Sequence, residues 1–159
     1  MTDDPIDLSG DPLRIHVVGV GGAGMRAVAS VLASLGHHVS GSDMKPTPGL
    51  DRLRAQGVEV RIGHDTAHVA GVDLVAASSA IPDANIELVA AREAGIPVRL
   101  RAQVLAAITR VRPTVSVSGT HGKTTTTTML ALALVQAGLR PSFIVGGDVN
   151  EIGSGAVWD

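Results

Sequence analysis

Six residues near the start of the chain, Gly19-Val20-Gly21-Gly22-Ala23-Gly24, restrict its fold more than any other stretch. They follow a short β-branched run at 13–18. They open a segment in which Ala27, Val28, Val31, Leu32 and Leu35 recur at helical spacing before Gly36 stops it. A strand that turns through glycines straight into a helix is the entry to a βαβ unit. Gly19 permits the tight turn, Gly21 lets backbone approach a pyrophosphate, and Gly24 lets helix and strand pack closely. The helix N-terminus then offers unpaired N–H groups and the positive end of its dipole to an anion. Asp43, at the end of the next strand, completes the pattern with a group that accepts hydrogen bonds from ribose hydroxyls. The geometry recognises a diphosphate and a ribose; it does not specify a nicotinamide.

The rhythm set by this turn continues. Short apolar runs at 38–42, 58–62, 73–77 and 97–100 alternate with helical patterns at 50–56, 85–94 and 102–108, each punctuated by glycine or proline. The run at 73–77 is uniformly apolar, as a strand buried on both faces requires. Alternation of this kind predicts an α/β fold with a Rossmann-like, doubly wound parallel sheet and right-handed crossovers. Residues 1–12, polar and bearing Pro5, Gly10 and Pro12, read as a flexible lead-in, and 13–112 as one domain. After Pro113 a second unit begins, with a strand at 114–118, a glycine-bearing turn, a helix at 125–137 and a strand at 142–145. The segment 113–159 is too short for an α/β core of its own, so it reads as the incomplete opening of a P-loop ATPase domain.

Composition narrows the chemistry. Thirteen Lys plus Arg against fifteen Asp plus Glu give a net charge of −2 without a basic block, so nothing favours a nucleic-acid surface. Phe143 and Trp158 are the sole aromatics, and no platform for stacking bases exists. The chain has no cysteine. That removes disulfides, thiolate metal sites and thiol catalysis, and fits a reducing cytoplasm. The N-terminus is acidic (Asp3, Asp4, Asp7, Asp11) and no apolar run reaches the roughly 18–20 residues of a membrane span. A cytoplasmic protein with no membrane partner is expected; a homo-oligomer is compatible with the composition.

The second motif is Gly119-Thr120-His121-Gly122-Lys123-Thr124-Thr125. Its Gly122-Lys123-Thr124 core matches a phosphate-binding loop between strand and helix, although Val117 stands where the first glycine of that pattern falls. Backbone N–H groups and Lys123 would hold the β- and γ-phosphates of ATP, and the Thr124 hydroxyl would ligate Mg²⁺. The run of threonines at 124–128 is a poor way to start an ordinary helix. Hydroxyls committed to phosphate or metal explain it, as does back-bonding to preceding carbonyls for Thr126, Thr127 and Thr128.

Together and in this order, the two motifs resemble the Mur ligases of peptidoglycan synthesis. The same resemblance runs through Met25, Gly41-Ser42-Asp43, Gly63-His64, Ser78-Ser79-Ala80-Ile81, Arg101-Ala102-Gln103-Val104-Leu105 and Gly146-Gly147. Gln103 and Val104 depart from the family's usual Glu and Met, and Gly153-Ser154-Gly155 from its usual Gly-Thr-Asn. His121 favours the branch that joins L-alanine to UDP-N-acetylmuramate. The resemblance implies an ATP- and Mg²⁺-dependent amide-forming ligase. Such an enzyme phosphorylates the lactyl carboxylate, and the amine of L-alanine then attacks the acyl phosphate. It also implies three domains, of which this chain would carry the UDP-sugar-binding one and the start of the ATPase, so that the isolated 159 residues would be inactive alone.

The residues implicated follow from both readings. Gly21, Gly22, Ala23, Gly24, Met25, Ser42, Asp43, His64, Ser78, Ser79, Ala80 and Arg101 are the candidates for the UDP-sugar. Gly119, Thr120, His121, Gly122, Lys123, Thr124 and Thr125 are the candidates for ATP, with Lys123 catalytic and Thr124 on the metal. His64 follows Gly63 in a loop where substrate-facing groups collect, and a merely exposed histidine would look the same. His37 and His38 adjoin a turn and read as solvated; His16, inside the first strand, reads as structural. Three rivals remain. An NAD-dependent oxidoreductase would use the first motif but leave the second unexplained. A non-catalytic UDP-sugar-binding module would keep the fold alone. A related ligase acting on a recycled tripeptide is disfavoured by the stretch from Gly21 to Met25.

Overall fold

The computed structural model describes residues 6–149 and 154–159. The expectations for residues 1–5 and for Gly153 lie outside them. Five parallel strands form the main sheet in the order β3-β2-β1-β4-β5. They are β1 (Arg14–Val18), β2 (His38–Asp43), β3 (Glu59–Ile62), β4 (Leu74–Ala77) and β5 (Val98–Leu100). Helices α1 (Ala23–Ser34), α2 (Gly49–Ala55), α3 (Ile86–Glu93) and α4 (Arg101–Val111) connect or follow them. This is the doubly wound α/β arrangement expected, and it reverses direction between β1 and β4, where ligands of such sheets sit.

Strand alternation explains the layering. Ile15, Val17, Leu74 and Ala76 form one core with Val28, Val31 and Leu32 of α1, Leu50 and Leu53 of α2, and Val104 and Ile108 of α4. Val18, Val75 and Ala77 point the other way, onto Leu88 and Ala91 of α3 and Val69 of a 3-10 turn at Thr66–Val69. His16, between Ile15 and Val17, therefore faces α3 as well. Leu32 is fully buried, and truncating it to alanine removes about 2–5 kcal/mol of stability. Helix α3 starts cleanly because the Asn85 side chain accepts from the amides of Glu87 (2.9 Å) and Leu88 (3.4 Å).

Beyond Pro113 the structure departs from expectation at two elements, the strand expected at 114–118 and an unexpected final strand at Ser154–Val157. Residues 114–118 have no strand partner among the described residues and are largely exposed, Val115 by 78%. A strand exists only through hydrogen bonds to a neighbour, so a run of alternating valines without one stays irregular. Helix α5 (Lys123–Gln136) follows, then β6 (Phe143–Val149) and β7 (Ser154–Val157), paired antiparallel. The β6–β7 ribbon packs on α1, and Ala156 joins the main core. Met129, Leu130, Val135 and Leu139 stay exposed on and just after α5.

Candidate functional site

The glycine turn closes over the carboxyl edge of the sheet. The amides of Gly19 and Val20 both donate to the carbonyl of Ser42, at 2.9 and 3.0 Å, tying the end of β1 to the end of β2. Gly19 has φ +81°, which only glycine adopts without strain. A Cβ there would lie 3.1 Å from Ile81 Cδ1, so this turn and the one after β4 touch. Gly21 donates its amide to Asp43 Oδ2 at 2.8 Å, and a Cβ on Gly21 would stand 2.6 Å from that oxygen. Arg26 closes the other side, donating to the Gly21 carbonyl at 2.5 Å.

What this leaves open is the start of α1. Its N-cap, Gly22, has no side-chain cap and the first turn carries no acidic residue. Gly22 and Ala23 are exposed. The first amides of α1 thus face solvent with a positive dipole end behind them, and a bound anion would satisfy them. Arg101, the first residue of α4, lies against the same turn: a Cβ on Gly24 would clash with its guanidinium. One cation and one helix N-terminus therefore meet at the β1/β4 switch point. The shelf is open. A cavity of about 340 Å³ between α1 and α2 touches it only through Ala23, and one of about 580 Å³ between α4, residues 113–117 and α5 lies beside it. The glycine geometry is the better guide here, because a diphosphate needs amides within reach and not an enclosed volume.

Gly21, Gly22, Ala23, Gly24, Asp43, Ser78, Ser79, Ala80 and Arg101 all fall along this edge, on β2 and the three turns that close it. Ser78 Oγ accepts the Ala80 amide at 3.3 Å, and Ser79 and Ala80 are exposed. Asp43 does more than expected, since its Oδ2 is already engaged in shaping the turn while Oδ1 accepts the Lys45 amide at 3.2 Å. Two candidates point elsewhere. The Met25 side chain belongs to the core, 2% exposed. Ser42 is fully buried, and its hydroxyl donates to Glu87 Oε2 at 2.6 Å. Apolar packing on α1 takes the first, and a buried charge takes the second.

That charge, Glu87, was missed because a lone glutamate in the first turn of a helix looks like a solvated end. It is fully buried at the head of α3. His64 Nδ1 lies 2.8 Å from Oε2, His68 Nδ1 2.6 Å from Oε1, and the Asp65 amide donates to Oε1 at 3.4 Å. Burial by itself pushes this carboxyl up. The approach of His16 with the hydrogen bonds from Ser42 and His68 outweighs it and holds the group at about 2, from an ordinary 4.5. An ionised carboxylate only accepts, so both histidines present Nδ1–H to it and keep Nε2 for other contacts. His64 is thereby anchored at the end of β3, with 12% of its side chain exposed. The remaining histidine reading needs correcting in part: His38 is exposed, but His37 is buried, 6% exposed, with Nδ1 accepting the Leu13 amide at 3.2 Å. It sits beneath the start of β1 rather than in water.

The second motif is an exposed loop between residue 118 and α5. Gly122 adopts φ +79° as the N-cap of α5, again without a side-chain cap or an acidic first turn. Lys123 folds back so that Nζ donates to the carbonyls of Gly119 (2.5 Å) and Thr120 (3.2 Å). Thr120 Oγ1 and His121 Nδ1 lie 2.9 Å apart, and residues 119–125 are all exposed. Amides without caps and a lysine held over the loop suit a polyphosphate.

A parallel sheet with an uncapped glycine turn at its switch point, followed by a second such turn carrying Lys-Thr, defines a doubly wound α/β protein with two uncapped helix starts. Comparison with known proteins sharpens this. The model of the Mur ligase family, catalytic domain, matches residues 14–112, and the chain belongs to that family. It is 50% identical over 143 residues to the UDP-N-acetylmuramate–L-alanine ligase of Methylococcus capsulatus, covering 90% of this chain and 30% of the relative. The corresponding protein of Salinispora arenicola is 49% identical over 142 residues, covering 89% and 28%. The chain therefore spans about three-tenths of the length of these curated relatives. The crystal structure of the UDP-N-acetylmuramate-alanine ligase of Thermotoga maritima superimposes with a TM-score of 0.83 at 33% identity, covering 91% of this chain and 34% of that one. The UDP-N-acetylmuramate:L-alanyl-gamma-D-glutamyl-meso-diaminopimelate ligase from Neisseria meningitides gives the same score and identity, covering 92% and 46%. The fold thus marks the family without separating its branches.

Proposed function

We propose that this chain supplies the UDP-sugar-binding part and the ATP-phosphate loop of a ligase that joins L-alanine to UDP-N-acetylmuramate in peptidoglycan synthesis. The observation that carries the reading is the open start of α1. Uncapped amides, Gly22 and Ala23 in solvent, and Arg101 against Gly24 suit the diphosphate of a UDP-sugar. Asp43 accepts from a ribose or uracil group while keeping the turn in shape. Ser78, Ser79 and Ala80 border the diphosphate from β4, and His64, held through Nδ1, offers Nε2 to the ligand. Ser42 contributes indirectly, by fixing Glu87 and so His64. The names carried by the curated relatives favour L-alanine as the amine. An oxidoreductase reading has no support beyond the first glycine turn.

Residues 113–159 open the ATPase unit on this reading, with Gly119, Thr120, His121, Gly122, Lys123, Thr124 and Thr125 lining the phosphate site and Thr124 reaching Mg²⁺. When bound, ATP and Mg²⁺ supply the phosphoryl group that turns a carboxylate into an acyl donor. The chain's own contribution is electrostatic: Lys123 and the first amides of α5 offset negative charge on the phosphates. The site for the amino acid and the remaining catalytic groups belong to the full-length enzyme. The setting is the cytoplasm, where both nucleotides are available; among the described residues no helix is long and apolar enough to cross a membrane. Calorimetric titration of the chain with UDP-N-acetylmuramate, and with NADH as control, tests the reading. Saturable heat from the UDP-sugar alone supports it, whereas heat from NADH alone reinstates the oxidoreductase.

A further inference from the structure

The cluster under the glycine turn contains a polar conflict that the sugar site does not resolve. His16, His68 and Glu87 each bring one donor atom within 4.8 Å of the others, and His16 Nε2 and His68 Nδ1 lie 3.5 and 2.6 Å from Glu87 Oε1. His16 and Glu87 have no exposed surface, and the His68 side chain has 13%. His16 Nε2 is buried without a hydrogen-bond partner and points to Glu87 Oε1 from 3.5 Å. Its other nitrogen, Nδ1, lies 2.8 Å from Ser40 Oγ. If Nδ1 carries the proton and donates to Ser40, a bare lone pair on Nε2 faces an anionic oxygen. If Nε2 carries it, the N–H stops short of a good hydrogen bond. Either way a fully buried polar atom is left unsatisfied, which folded proteins rarely tolerate.

A cation between the three atoms removes the conflict. We propose that His16, His68 and Glu87 form a binding site for a divalent transition-metal ion of the zinc class. Two imidazole nitrogens and one carboxylate oxygen are a donor set that zinc uses in sites with one further open position. The surrounding groups are those such a site needs to orient its ligands. Ser40 fixes the His16 ring, and Ser42 with His64 holds the second oxygen of Glu87 at 2.6 and 2.8 Å. The partly exposed edges of His64 and His68, at 12% and 13%, give the ion a way in. Coordination replaces the hydrogen bond between His68 and Glu87. The neutral His68 ring exchanges its proton from Nδ1 to Nε2 through solvent, the Nδ1 lone pair goes to the metal, and Glu87 stays ionised, so a ring that starts neutral releases no net proton. The site lies off the diphosphate shelf, shares Glu87 with the support of His64, and does not depend on the ligase reading.

The test is a titration of chelator-stripped chain with Co²⁺, followed by Zn²⁺. One equivalent of Co²⁺ should produce the strong visible absorption of a four-coordinate site, and Zn²⁺ should displace it. His68→Asn should abolish that absorption and weaken uptake at least about 10-fold, and Ser40→Ala should weaken it about 10-fold. His38→Asn, at an exposed histidine outside the cluster, should change neither. Uptake without saturation, a weak six-coordinate spectrum, or a strong one that survives His68→Asn overturns the proposal. Ring resonances of the unmodified chain decide the matter if a variant fails to fold. Zn²⁺ must shift His16 and His68 together and leave His37, His38 and His121 in place; any other pattern overturns the site.

Discussion

Glu87 offers a prediction whose size follows from the structure. Its carboxyl is held at about 2 against an ordinary 4.5, a preference for the ionised form of about 3 kcal/mol. The side chain is fully buried, so solvent does not dilute that figure. The folded value lies below the unfolded one, so this stability is fully present above about pH 4.5 and drains away as pH falls towards 2. Glu87→Gln keeps the shape and removes the charge that His64, His68 and Ser42 donate to. Urea unfolding near neutral pH should therefore place the variant about 3 kcal/mol below the wild type, which for a chain of this length lowers the melting point by about 6–12 °C. Repeated at about pH 3, the gap should shrink to about 1 kcal/mol, because the wild type has by then lost most of the same contribution. A gap equally large at both pH values, or one under about 1 kcal/mol at neutral pH, refutes the reasoning.

Other consequences are smaller. Burial holds His37 below its ordinary 6.5, with His38 adding to the effect and the Leu8 backbone opposing it. Because the neutral ring is the one that folds, protonating it as pH falls below 6.5 removes stability, and a proton NMR titration should find His37 titrating below the ordinary imidazole value. Gly24→Ala places its Cβ on the Arg101 guanidinium, a flexible group that can move. Stability should change by less than about 1 kcal/mol while UDP-sugar affinity falls about 10-fold by calorimetry. Gly21→Ala instead meets the Asp43 carboxylate at 2.6 Å and should cost about 1–3 kcal/mol in urea unfolding as well as affinity. Lys123→Ala removes an exposed side chain that bonds only its own loop. The melting point should stay within about 2 °C, while ATP binding weakens at least about 10-fold.

The parallel sheet was readable because glycine and apolar periodicity are local signals. The strands and helices from β1 to α4 follow punctuation by Gly36, Gly57 and Gly95, all at positive φ. The strand expected at 114–118 failed for a non-local reason, since its hydrogen bonds require a neighbour that sequence periodicity cannot supply. The ribbon strand β7 was missed in turn, because its antiparallel pairing with β6 has no hairpin signature in the sequence. At the site, backbone chemistry was legible: glycines that would clash, an acid that caps a turn, an arginine at a helix start. Side-chain direction was not. Ser42 and Met25 sit in the right motif and point inward, while Glu87 carries no motif and gathers three histidines from β1, the loop after β3 and the 3-10 turn. Only the packing of α3 across β1 brings those four residues together.

The central claim is that two separate glycine turns serve two separate nucleotides. Amide chemical shifts of the chain, followed while UDP-N-acetylmuramate and then ATP with Mg²⁺ are added, test it most directly. The account predicts that the UDP-sugar moves Gly22, Ala23, Gly24, Ser79 and Ala80 and spares Lys123, Thr124 and Thr125, and that ATP does the reverse. A UDP-sugar that perturbs Lys123 and Thr124 while leaving the α1 turn unmoved contradicts it.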